Sequence, residues 1–155
     1  IPTIIFPGDV MERQIKIGDR INELLVLKGI DNKTFADALG VSVSTVGRWR
    51  NNTKYMRLTQ IVKIAEYFDC SIEFLVGKTE NILDFQPNPC PSFYPHFRKL
   101  LEARGISRNQ VNKETHIKSS HFVDWKNVAD PHILSLLELS DYLGVTVDTL
   151  VGREK

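Results

Sequence analysis

Phe35-Ala36-Asp37-Ala38-Leu39-Gly40-Val41-Ser42-Val43-Ser44-Thr45-Val46-Gly47-Arg48-Trp49 is the stretch whose reading decides the fold. Phe35, Ala36 and Leu39 fall on one side of a 3.6-residue period, and so do Val46 and Trp49, while no period-two alternation runs through either group. Gly40 suits the left-handed position that ends a helix, and Ser42 carries the side-chain oxygen that caps the start of the next. The stretch therefore reads as two short helices joined by a tight turn at Leu39-Gly40-Val41, the second with its polar residues outward. That is a helix-turn-helix layout.

Helical spacing continues on both sides. Ile17, Ile21, Leu24 and Leu25 mark a first helix that stops at Gly29, and Asp31 is placed to cap the second. Leu58, Ile61, Ile64, Ala65 and Phe68 predict a fourth helix, and Ser71 opens a short fifth through Ile72, Phe74 and Leu75 before Gly77. The pattern then recurs. Leu24-Leu25, Gly29-Ile30, Ser44 and Trp49 reappear 76 residues later as Leu100-Leu101, Gly105-Ile106, Ser120 and Trp125. The offset falls to 75 for Tyr67 and Tyr142 and for Leu75-Val76-Gly77 and Leu150-Val151-Gly152, so one residue is missing between the third and fourth helices of the second copy. Its inward residues are Phe97, Leu100, Leu101, Val111, Phe122, Trp125, Ile133, Leu136, Leu139, Val147 and Leu150. Between the copies, Gln86-Pro87-Asn88-Pro89-Cys90-Pro91 has too few amide donors for helix or central strand and reads as a linker. The expected organisation is all-α: an N-terminal arm or cloning remnant at 1–14, a five-helix domain at 15–80, a Pro-rich linker at 81–92 and a second, divergent domain at 93–155.

Composition narrows the function. The 155 residues are 42% hydrophobic and 25% charged, which excludes a disordered or fibrous chain, and a net charge of +1 means that an anionic partner must be recognised by local charge. Between Ser42 and Arg57 stand Arg48, Arg50, Lys54 and Arg57 with no acid, an excess that suits a phosphate backbone, although such a cluster is also compatible with a merely solvated face. Two cysteines without CxxC spacing point to a reducing, cytoplasmic setting, and no apolar run approaches the roughly 20 residues that a bilayer crossing needs. There is no HExxH, GxSxG, glycine-rich phosphate loop or spaced carboxylate pair, so neither catalysis nor a cofactor is expected, and no small-molecule effector domain is legible. His96, His116, His121 and His132 follow no metal-ligand spacing.

The helix-turn-helix, with the closing Leu75-Val76-Gly77, resembles the phage-repressor or Cro-type (XRE-like) family, well over residues 15–78 and more loosely over 93–153. The resemblance implies a lambda-repressor-like five-helix fold in each copy and a third helix that enters the major groove of double-stranded DNA. By position it makes Val43, Ser44 and Arg48 the base readers. Arg48, next to inward Trp49, projects outward and can make a bidentate contact to guanine. The expected phosphate contacts are Asn32, Thr45, Arg50, Asn51, Lys54 and Arg57, with Asn51 equally able to end helix three. The small Gly47 leaves room for close approach.

In the second copy Asp124 stands in place of Arg48 and Asp130 in place of Lys54, followed by Pro131, so its core is kept while its reading face has changed sign. A different task is expected there: dimerisation, partner binding or support of the first copy. The related proteins bind as dimers on two-fold operators, which makes a homodimer the expectation, with Phe85, Phe93 and Tyr94 as an interface unless they pack within their own chain. The whole reads as a sequence-specific transcriptional regulator. The competing reading is an adaptor or antitoxin-like module that grips protein with the same fold.

Overall fold

The computed structural model describes residues 7–52, 55–82 and 85–154, with side chains described from Ile17 of the first helix onward. Among the described residues there are ten helices and no strand, and an isolated antiparallel bridge joins Pro87 to Glu154. Packing divides the chain into two compact units, one of residues 11–85 and one of residues 86–154 with which residues 7–10, the first turn of the first helix, are grouped.

In the first unit the helices are α1 (Pro7–Lys28), α2 (Asn32–Leu39), α3 (Val43–Arg50), α4 (Leu58–Phe68) and α5 (Ile72–Leu75). Residues 7–14, expected as an arm, are helical: Pro7 takes the first helical position, where its missing amide would have had no partner anyway. Residues 1–6 of that arm lie outside the described residues. Every inward residue expected on α1 to α5 is buried, and Met56, Val62, Cys70 and Val76 join them. Each fully buried Leu, Ile or Phe contributes roughly 1.5–3 kcal/mol, which outweighs the propensity of helices as short as α2 and α3. Phe35 anchors the centre, 5.4 Å from the ring of Tyr67 and 5.3 Å from that of Phe68. Arg20 ties α1 to α5: its Nε donates to the Phe74 carbonyl at 3.1 Å and its guanidinium lies 4.2 Å above the Phe74 ring.

The second unit holds α6 (Phe93–Ala103), α7 (Arg108–Glu114), α8 (Ser119–Lys126), α9 (Ile133–Leu143) and α10 (Val147–Val151). Its core is aromatic. Phe93 stacks on Phe97 at 5.3 Å, and Trp125 meets both edge-on. Phe93 is thus buried within its own unit and is withdrawn from the expected dimer interface, because α6 turns it toward Trp125; Tyr94 remains half-buried and Phe85 half-exposed. The Tyr142 hydroxyl donates to Glu114, and burial, with that hydrogen bond, pushes its pKa up to about 12. Part of the expected linker is fixed to this unit, since the Asn88 amide donates to the Arg153 carbonyl at 2.7 Å beside the Pro87–Glu154 bridge. Arg153 is itself buried, its Nη1 donating at 2.9 Å to Oδ1 of equally buried Asp148.

Asn52 in the loop after α3 and Val128 in the loop after α8 have positive φ, 59° and 70°. Asparagine tolerates that region, whereas a β-branched residue there pays roughly 1–2 kcal/mol of steric strain. Val128 is 87% exposed, so no packing compensates. Val128→Asn is therefore expected to stabilise the chain by about 1 kcal/mol in urea unfolding. An unchanged or lower midpoint would show that the strain is not there.

Candidate nucleic-acid interface

Local chemistry shapes the α2–α3 corner. The Asp31 carboxylate accepts from the Thr34 amide at 2.8 Å, which caps α2 and lowers the Asp31 pKa. Gly40 closes the helix at φ 71°, a left-handed conformation that only glycine adopts without penalty, while the Val41 amide reaches back to the Ala36 carbonyl at 3.0 Å. Ser42 Oγ then accepts from the Thr45 amide at 3.1 Å and starts α3. Two helices of eight residues each are thus fixed in direction by their caps and by buried Leu39, Val46 and Trp49.

With Val46 and Trp49 inward, α3 turns Val43, Ser44 and Arg48 to solvent, Val43 being 48% exposed. These three expected base readers therefore share one exposed face. A Cβ built on Gly47 would meet nothing within 4 Å, so that face has an open notch beside Arg48.

The expected phosphate contacts separate into groups. Asn51 is exposed at the C-cap of α3, and Arg57 is exposed at the start of α4, where its amide donates to Gln60 Oε1 at 3.2 Å. Thr45 does not join them: it is buried, and its hydroxyl lies 3.0 Å from that of Ser42, which satisfies it on the inner side of the helix. Asn32 and Arg50 are brought together, Arg50 Nη1 donating to Asn32 Oδ1 at 2.6 Å. Lys54 lies outside the described residues.

Sequence reasoning missed a third residue that joins these two. Arg50 Nε also donates to Asn22 Oδ1 on α1, and Asn22 Nδ2 donates to the Arg50 carbonyl at 3.5 Å. The knot fastens the end of α3 to two other helices. Gly18 was missed as well. Its amide donates to Asn52 Oδ1 at 3.2 Å, and a Cβ there would stand 2.3 Å from that oxygen and 2.8 Å from the Trp49 carbonyl oxygen.

Residues 20–77 match the family model described as the Cro/C1-type HTH DNA-binding domain. This part of the chain is a Cro/C1-type HTH domain. The match runs from within α1 to the glycine after α5 and contains the whole α2–α3 corner. No curated protein and no solved structure matches the chain.

Beyond the Cro/C1-type domain, α8 keeps Phe122 and Trp125 buried and exposes Ser119, Ser120, Val123 and Asp124. The four histidines serve as hydrogen-bonding groups. His96 Nε2 lies 2.9 Å from the Thr149 carbonyl and His116 Nδ1 lies 3.2 Å from Glu138, while His121 Nδ1 accepts from the Lys118 amide and His132 Nδ1 from the Leu134 amide. Among the described residues no group of three or more His, Cys, Asp or Glu could hold a metal ion, and no helix is long and apolar enough to cross a membrane.

Proposed function

We propose that the chain is a cytoplasmic, sequence-specific DNA-binding transcriptional regulator that reads the major groove with α3. The observation that carries this reading is the exposed face of α3 within a Cro/C1-type HTH domain, where Val43, Ser44 and Arg48 stand clear of a helix held from behind by Val46 and Trp49. Arg48 is the guanine reader, Ser44 a hydrogen-bonding partner for several bases and Val43 a contact for a thymine methyl. Asn32, Arg50, Asn51, Lys54 and Arg57 line the phosphate path, with Arg50 using the N–H groups left over from its asparagine knot. We take the DNA-binding domain as residues 15–80 and the second domain as residues 93–155.

The second domain serves dimerisation or partner binding, which is supported by Asp124 and the exposed Val123 where α3 carries Arg48 and Gly47. A homodimer then presents two reading helices to a two-fold operator. Fluorescence anisotropy on an operator selected from random duplexes tests these assignments together. Arg48→Ala is expected to cost roughly 1–3 kcal/mol and to relax preference at one base pair, whereas Lys54→Ala should weaken all duplexes alike and flatten the salt dependence. Saturation at two chains per operator is the expected stoichiometry. An Arg48→Ala protein with unaltered preference, beside an Asp124→Ala protein that has lost it, would move the reading head to the other unit.

A further inference from the structure

The asparagine knot has a counterpart with opposite chemistry. At positions 22, 32 and 50 the first unit sets one cation between two neutral amides, whose oxygens both accept from Arg50. Seventy-six residues further on, the same three positions hold Arg98, Arg108 and Lys126. Within the second unit these side chains, together with Tyr94 and Glu102, line a cleft of about 260 Å³ between α6, the start of α7 and the end of α8. Glu102 is the only acid lining it, and Arg98 Nη2 pairs with its Oε1 at 3.4 Å. Among the described residues neither Arg108 nor Lys126 makes an ion pair. The cleft thus collects three cations against one acid, where the first unit holds a single arginine hydrogen-bonded between two uncharged amides.

Like charges gathered around a concave surface raise one another's energy, and a multivalent counter-ion relieves them. Arginine forks match the oxygens of a tetrahedral oxyanion, lysine adds a point charge and a phenol adds a further donor. We propose that this cleft is a binding site for a phosphate group. The net charge of its lining suits a phosphate dianion better than a carboxylate, and its volume accommodates the phosphate with a small substituent attached. The group can come from a free phosphorylated small molecule or from a DNA backbone, and the chemistry of recognition is the same for both. This site does not depend on α3 reading DNA.

Titration calorimetry of the full chain with inorganic phosphate and with pyrophosphate, at ionic strength held constant with chloride, is the direct test. Saturable one-site binding is expected, weakened about tenfold or more in the Arg108→Asn/Lys126→Ala protein. It should be unchanged in Arg48→Ala and in Lys99→Ala/Lys113→Ala, which removes the same charge from exposed positions outside the cleft. The same proteins titrated with duplex DNA distinguish the sources. A free phosphorylated ligand leaves duplex affinity of the Arg108→Asn/Lys126→Ala protein unchanged; a backbone phosphate makes it fall about tenfold with a shallower salt slope, while the Lys99/Lys113 control holds. Equal phosphate and equal duplex affinities in wild type and the cleft variant would overturn the proposal, as would a control variant that loses as much as the cleft variant.

Discussion

Replacing Asp148 with alanine is expected to remove about 3–5 kcal/mol from the stability of residues 86–154, the largest single loss foreseen for an ordinary side chain in this protein. Arg153 would be left 2% exposed without the Asp148 carboxylate, and removing one partner of a buried ion pair costs far more than replacing both. The Asp148 carbonyl also accepts from the Arg153 amide at 2.8 Å, so the side-chain pair and the backbone turn support each other. A small unit has only a few kcal/mol to lose, and the variant should therefore unfold in this unit at low urea. The double variant Asp148→Leu/Arg153→Met removes both charges and should recover most of the loss. Urea unfolding followed by circular dichroism provides the comparison. A loss below about 1 kcal/mol in Asp148→Ala would mean that water reaches the guanidinium.

Gly18→Val is the second large effect, on the order of 3 kcal/mol or more, because three carbon atoms enter a space that does not accept one. The nearest obstacles differ in kind. Asn52 Oδ1, 2.3 Å from the position of the first carbon, ends a side chain that can swing away, whereas the Trp49 carbonyl at 2.8 Å belongs to the backbone of α3 and moves only with the helix. Asn52→Gly in the same chain should accordingly restore part of the stability and not all of it. Since α3 carries the proposed reading face, operator affinity should fall in step with stability. A Gly18→Val protein of wild-type urea midpoint would show that α1 and α3 separate at no cost.

Features written in neighbouring residues were legible from sequence. Asp31, Ser42 and Ser71 cap the helices they precede, with oxygens 2.8, 3.1 and 3.0 Å from amides three residues on. The apolar stripes needed only the helical period. What escaped was set by partners distant in the chain. Asn22 meets Arg50 across 28 residues and Gly18 meets Asn52 across 34, and no local pattern distinguishes such an asparagine or glycine from an ordinary surface residue. Thr45 was expected at a phosphate, but a bond to Ser42 satisfies its hydroxyl in the interior. Asp148 and Arg153 drew no reading from sequence, because only the turn after α10 folds one charge onto the other. For the candidate interface, the face of α3 followed from its buried residues, while the restraint on Arg50 and Asn32 did not.

The pairing of Pro87 with Glu154 gives the second unit a property of a different order. Its entry and exit meet, so this piece of polypeptide is topologically close to a ring. A ring can be opened elsewhere and sealed here with a short peptide, which makes circularly permuted forms with new ends in an exposed turn accessible. It can also be spliced into a host loop without its ends being pulled apart.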